Sequence, residues 1–271
     1  MGLIKSALSR VISWHAKGRR FGSRTFYNLS FGYLWAYNNI DFDMETNGET
    51  ALIAHLFDAP PEVVFDVGAN VGNWSLRVLH HHTAAQIHAF EIAPAVHVEL
   101  KGRLKGTSIV VNDFGLSDRT ETLKIKYYPG RNELSSIHLG ATHFPWAYEI
   151  IDAQVLTGSE YCTQKEISYI DLLKIDTEGH DISVLRGFSD LIEHEKISII
   201  QFEHNETAIY SRTFLKDFYE LLGAKYVIGR ILPMGVAFKD YSTLDENFLH
   251  ANYLAVARSR PEVIRRLQVA A

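Results

Sequence analysis

Apolar positions along the chain recur with two different periods. Near the start, Ile4, Leu8, Val11 and His15 fall on one helical stripe, with Lys5, Arg10 and Lys17 mostly off it. From Pro61 onward, short apolar runs alternate with helical stretches. Residues 63–67, 86–91, 108–111, 170–175, 197–202, 226–232 and 252–257 read as strands; 73–82, 94–105, 180–193 and 214–222 read as helices. Strands separated by single helices form a mostly parallel sheet covered on both faces, so the pattern predicts an α/β fold of seven strands. The rhythm breaks over 120–165, where 123–128 alternates like a hairpin strand, and this segment reads as an insertion over the mouth of the sheet. The expected organisation is a helical N-terminal extension (1–50), one domain (51–258) and a C-terminal helix or tail (259–271).

Charge sharpens the reading of the extension. Residues 1–40 hold Lys5, Arg10, Lys17, Arg19, Arg20 and Arg24 and no acid, so the rest of the chain carries −11, the overall −5 less these +6. Such a helix either caps the domain or lies on an anionic membrane surface. The aromatics that follow (Phe26, Tyr27, Phe31, Tyr33, Trp35 and Tyr37) are expected to pack on a domain surface, a sugar-stacking wall being the other use of such rings. A net charge of −5 argues against nucleic-acid binding. Cys162, the single cysteine, excludes an internal disulfide and is expected to be a small apolar filler. The start lacks a secretory signal and no apolar run is long enough to span a bilayer, so a cytoplasmic location is expected.

The first predicted strand runs into Asp66-Val67-Gly68-Ala69-Asn70-Val71-Gly72-Asn73. In an open parallel sheet, ligands bind beyond the carboxyl ends of the strands, and Gly68 and Gly72 permit a tight turn there. A phosphate-binding P-loop needs Lys-Ser or Lys-Thr after its last Gly, but Gly72 is followed by Asn73-Trp74. A dinucleotide turn needs three glycines, but Asn70 and Asn73 occupy the second and third places. The observed D-x-G-x-N-x-G instead resembles motif I of class I methyltransferases, which bind S-adenosylmethionine, and this implies a Rossmann-like sheet. On that reading Asp66 bonds loop amides or, through water, the ligand ammonium. Glu91, 25 residues further on at the end of the second strand, accepts bonds from both ribose hydroxyls. Asn112 or Asp113 meets the adenine amino group, with Phe114 against the ring.

The fourth strand reads Asp171-Leu172-Leu173-Lys174-Ile175-Asp176-Thr177-Glu178-Gly179-His180-Asp181, followed by Val184-Leu185-Arg186-Gly187. It resembles the hallmark of the FkbM methyltransferase family, D-L-L-K-I-D-x-E-G-x-E-x-x-V-L-x-G, with Asp181 where that family usually has Glu. Gly115-Leu116-Ser117-Asp118, Ser135-Ser136 and Asn252-Tyr253-Leu254 are further family-like features. The resemblance covers roughly residues 52–257 and implies O-methylation of hydroxyls on sugars or natural products. The Asp/Asn-Pro-Pro-aromatic loop of base-amine methyltransferases is absent after this strand.

A hydroxyl needs a base or a metal to become nucleophilic. The candidates are Asp176 and Glu178 after the fourth strand and Glu203 and His204 after the fifth, with His180 secondary. Paired acids so close either raise each other's pKa or together bind Mg2+, and the bland alternative is that Asp176 and Glu178 only hold loop amides and cofactor. His80-His81-His82 is a solvated helix end, because consecutive helical residues point in different directions. Three functions stay open: transfer to a sugar hydroxyl of a glycan or glycolipid, transfer to a small natural product, or non-catalytic cofactor binding by a regulatory protein.

Overall fold

The computed structural model describes residues 2–130 and 146–269; Ser135 and Ser136 lie outside them. The chain divides into two compact units, 1–41 and 42–271. The division therefore falls after Asp41, not near residue 50, and residues 42–50 belong with the catalytic unit.

The first unit holds helices α1 (Gly2–Lys17) and α2 (Ser23–Tyr37). His15 reaches the Phe21 carbonyl (3.0 Å) and lies edge-on to Phe26, so the two helices meet at the turn between them. Within this unit α2 buries none of its residues. Its aromatics contact one another along the helix at i, i+4, as Tyr27–Phe31, Phe31–Trp35 and Tyr33–Tyr37.

The second unit begins with α3 (Glu49–His55), then β1 (Val63–Val67), α4 (Asn73–His81), β2 (Gln86–Phe90), α5 (Pro94–Arg103) and β3 (Val110–Asn112). Next come β4 (Gly115–Ser117), β5 (Glu121–Tyr127), β6 (Glu149–Thr157), α6 (Gly158–Gln164) and β7 (Ile170–Ile175). The chain continues through α7 (Asp181–Arg186), α8 (Ser189–Glu193), β8 (Ile197–His204), α9 (Ala208–Ser211) and α10 (Leu215–Leu222). It ends with β9 (Tyr226–Leu232), β10 (Gly235–Phe238), β11 (Ala251–Ala257) and α11 (Pro261–Leu267).

The main sheet has the order β10-β9-β11-β8-β7-β1-β2-β3. β1, β2, β3, β7 and β8 run parallel, whereas β11 is antiparallel to both β8 and β9. Eight strands are present, not seven: the short run Gly235–Phe238 turns back on β9 as an edge hairpin. β4, β6 and β5 form a separate three-stranded sheet, and α6, which follows it, sends Tyr161 and Cys162 into the main core. There Cys162 is the apolar filler expected, its thiol pushed up to about 12 by burial.

Alternation along the strands divides the core between two faces. Phe65, Val67, Leu173, Ile200 and Phe202 pack against α6, α7, α8 and α10 on one face. Val64, Leu172, Ile199, Leu254 and Val256 pack against α3, α4, α5 and α11 on the other. On this second face the strand ends turn polar. Asp66 pairs with Lys174 and Lys174 with Gln201 in direct register, and one row further on Glu203 pairs with Asn252.

Candidate active site

The turn after β1 is built from left-handed residues: Gly68 (φ 82°), Asn70 (φ 48°) and Gly72 (φ 82°). Gly68 is required by crowding, since a Cβ there would stand 1.9 Å from the Asp176 carbonyl oxygen. At Gly72 a Cβ would meet Leu100 at 2.7 Å. The turn is locked to β2, with the Gly68 and Ala69 amides donating to the Phe90 carbonyl and the Asn70 amide to Glu91 Oε2 (2.9 Å). Glu91 Oε1 accepts the Ala93 amide (2.8 Å), so each carboxylate oxygen retains accepting capacity. Burial raises the Glu91 pKa to about 7 against the opposing pull of these amides. The side-chain oxygen of Asn70 is buried without a hydrogen-bond partner, an unmet acceptor in the middle of the turn.

Other residues expected to hold the cofactor are engaged differently. Asp66 is fully buried and takes Ser75 Oγ (2.7 Å) and Lys174 Nζ (3.4 Å), not loop amides. Asn73 accepts from Arg103 (2.8 Å), tying α4 to α5. Asn112 donates to the Ala89 carbonyl (3.1 Å) and accepts from the Tyr161 hydroxyl (3.2 Å), which itself receives His88 Nδ1 (2.7 Å). Its amide therefore braces β2 and α6, while Asp113 beside it is exposed and Phe114 packs on Phe90 and Tyr161.

Beyond β7 and β8 the site is dominated by carboxylates. Asp176, at the end of β7, pairs with Lys174 Nζ at 3.1 Å. Lys174 is buried, yet the charges of Asp176, Asp66 and Glu49 hold its pKa above the ordinary range. Glu178 (φ 52°) and Gly179 (φ 95°) turn the chain back toward α9, where a Cβ on Gly179 would lie 3.0 Å from the Thr207 carbonyl. Burial, then the charges of Glu203 and Asp176, push the Glu178 pKa well above the carboxylate range. Asp181 accepts from the Thr177 hydroxyl (2.9 Å); burial and the same acids raise it to about 7, and its second oxygen is buried without a partner. His180 is buried against Ser117 Oγ (2.9 Å).

Glu203 is the best-oriented of these acids. His250 Nδ1 (3.1 Å) and the Asn205 amide both bond its Oε1, so neither occupies Oε2. Burial and then Asp176 raise the Glu203 pKa. Burial disfavours charged His250, but the bond to Glu203 and its charge outweigh this and raise the His250 pKa. Phe42 covers the His250 ring at 4.3 Å. Glu49 closes the floor, accepting from Asn47 (2.7 Å), Gln201 (2.6 Å) and Asn252 (3.0 Å).

One expectation needs correction. His204 follows Glu203 in an extended strand and therefore lies on the opposite face, buried beside Phe218 and Phe248, where burial lowers its pKa. It is removed from the acids. Among the described residues no three His, Cys, Asp or Glu side chains are grouped to hold a metal. At the triple histidine, His82 donates to the Ile53 carbonyl (2.8 Å) and His81 is exposed.

Lys174, Glu49, Gln201, Asn205 and His250 were missed. Lys174 did carry a signal, since a lysine inside a buried apolar strand, two residues before Asp176, shares its face. His250, isolated before the last strand, carried none.

The parallel core with an antiparallel β11 between β8 and β9, and a Gly-rich turn and acid at the ends of β1 and β2, define a class I methyltransferase. The methyltransferase FkbM domain model matches residues 66–228. The chain belongs to the FkbM methyltransferase family. It is 28% identical over 158 residues to 31-O-demethyl-FK506 methyltransferase FkbM of Streptomyces tacrolimicus, covering 48% of this chain and 61% of the relative. It is 26% identical over 162 residues to hexuronic acid methyltransferase AglP of Haloferax volcanii, covering 58% and 63%. The chain thus spans about three fifths of the length of these curated relatives. A solved FkbM methyltransferase from Methylobacillus flagellatus KT aligns with a TM-score of 0.44 at 14% identity, covering 72% of this chain and 43% of that one.

The site fits S-adenosylmethionine. Its buried Asn70 oxygen lacks a donor, its left-handed turn leaves backbone groups clear of Cβ atoms, and its clustered carboxylates suit a cationic ligand.

Proposed function

We propose that this methyltransferase acts on oxygen, transferring a methyl group to a sugar hydroxyl of a glycan, glycolipid or lipo-oligosaccharide. The observation that carries the reading is Glu203: a buried carboxylate held by two donors on one oxygen, its other oxygen free of both, at a strand end beside Asp176. Such a group accepts a proton from a hydroxyl as it turns nucleophilic. The names of the two relatives, one referring to an O-demethyl compound and the other to a hexuronic acid, support an oxygen acceptor.

Bound S-adenosylmethionine supplies a methyl group on a sulfonium, already activated toward a nucleophile. Gly68, Asn70 and Gly72 would hold its amino-acid end, Glu91 would accept from its ribose hydroxyls, and Asp113 and Phe114 would flank its adenine. Asp176, held in place by its ion pair with Lys174, would stand beside the cationic centre. Glu203, oriented by His250 and Asn205, takes the acceptor proton, and alignment of the acceptor with the methyl supplies much of the rate.

Incubation with labelled S-adenosylmethionine and fractionated glycolipids, polysaccharides and small metabolites tests this reading. Label recovered on a sugar after hydrolysis supports it. Label on a small non-sugar product assigns the natural-product acceptor, and label on nothing favours the non-catalytic reading. Activity lost to a chelator and restored by Mg2+ would replace the metal-free proton transfer.

A further inference from the structure

The N-terminal helix pair holds none of the candidate site residues, yet its composition is unlike that of a solvated surface. Leu8, Val11, Ile12 and Trp14 of α1 are each 58% exposed or more. On α2, Phe26, Tyr27, Leu29 and Trp35 are all exposed, and at about 100° per residue they cover every side of the helix. A helix with large apolar and aromatic side chains on every side, interleaved with Ser, Thr and Asn and with no residue buried, suits a boundary between water and an apolar phase better than water alone. A coiled-coil partner would need only one stripe.

Two further observations say what that surrounding is. The turn between the helices presents Phe21, wholly exposed, among Lys17, Arg19, Arg20 and Arg24. Beside it lies an open pocket of about 630 Å³ lined by Arg10, Lys17, Arg20, Ser9, Ser13 and Trp14. Arg20 lies 3.6 Å from the Trp14 ring centroid, which holds one guanidinium in place. Three cations, two hydroxyls and an indole suit a phosphate diester at the boundary between water and acyl chains. Residues 1–40 contain no acid, so nothing within this unit offsets the attraction to an anionic surface. Neither helix is long and apolar enough to cross a bilayer; the 15 residues of α2 reach only about 22 Å. The fitting arrangement is flat, in the headgroup region.

We infer that the helix pair of residues 2–37 docks the enzyme on an anionic phospholipid bilayer, its aromatic helix in the interface and a lipid phosphate in the pocket of Arg10, Lys17 and Arg20. This holds whatever the acceptor is, and its test does not depend on activity.

The test is co-sedimentation of the full chain with phosphatidylcholine vesicles, with and without about one third phosphatidylglycerol, at low and at high salt. Binding to the anionic vesicles alone is expected, weakened tenfold or more by salt. The triple substitution Arg10→Glu, Lys17→Glu and Arg20→Glu should abolish it. Phe21→Ser with Trp35→Ser should weaken it while leaving the salt dependence in place. Circular dichroism of each variant checks that the helices persist. Equal binding to neutral vesicles, or none to anionic ones, would overturn the inference. Release by millimolar inorganic phosphate at constant ionic strength would also overturn it, by assigning the pocket to a soluble phosphate. A dimer in light scattering that dissociates on Trp35→Ser, without vesicle binding, would assign the aromatic face to a second copy.

Discussion

The two halves of the carboxyl edge of the sheet are held by different means. On the β1–β2 side the groups are backbone: left-handed residues at Gly68, Asn70 and Gly72, with amides locked onto Phe90 and Glu91. On the β7–β8 side they are side chains, a lattice of acids in which Lys174 and His250 offset part of the charge. The first half recognises shape and tolerates little change in volume. The second maintains a charge state, and small changes of charge alter its chemistry without moving the chain.

Substitutions that separate recognition from chemistry sharpen this contrast. The largest effect is expected at Glu203→Gln, which keeps the shape but removes the base. Turnover should fall by about 10²–10⁴, with S-adenosylmethionine affinity by calorimetry close to that of the wild type. Asp176→Asn should cost less turnover than Glu203→Gln, because Asp176 is paired with Lys174. The reverse order of kcat values would move the base to Asp176.

Gly68→Ala should act on the fold first. A Cβ at 1.9 Å from a backbone oxygen, on a residue at φ 82°, cannot be absorbed by a side-chain shift. Destabilisation of about 3 kcal/mol is expected from denaturant unfolding. A loss under 1 kcal/mol would show that the turn is not held against β7.

Glu91→Ala should weaken S-adenosylmethionine binding by about 2–3 kcal/mol and leave kcat at saturating cofactor near that of the wild type. An unchanged dissociation constant would end the ribose assignment.

The smallest effect concerns pH. Asp181 has an unperturbed pKa of 3.8 but one of about 7 in the fold. Between these values the native state holds a proton that the unfolded chain has released. Stability therefore falls as pH rises through that window, and the penalty is complete above about 7. Asp181→Asn keeps the bond from Thr177 and never ionises. It should raise the stability of the ligand-free protein at pH 8 by on the order of 2 kcal/mol and flatten its pH dependence. An unchanged melting temperature at pH 8, with the slope intact, would mean that Asp181 is ionised at little cost.

The sequence by itself determined the order of strands and helices, the Gly-rich turn, Glu91 and the D-L-L-K-I-D strand. Each is written in adjacent residues: a period, a turn chemistry or a short motif. It also marked the basic, aromatic start as distinct, because charge and ring content need no coordinates. Only the tertiary structure decided which polar groups meet. Asp66, Lys174 and Gln201 are joined by register across three strands, Glu49 reaches a residue 203 positions away, and His250 finds Glu203 because β11 runs antiparallel to β8. The same geometry separated His204 from Glu203, since neighbours in a strand face opposite sides of the sheet. Asn112 and Asp113 divide in the same way, one tied to Ala89 and Tyr161 and the other open at the surface. Local pattern specifies elements and turns, whereas contacts between residues far apart in sequence depend on strand pairing, which no single stretch of the chain encodes.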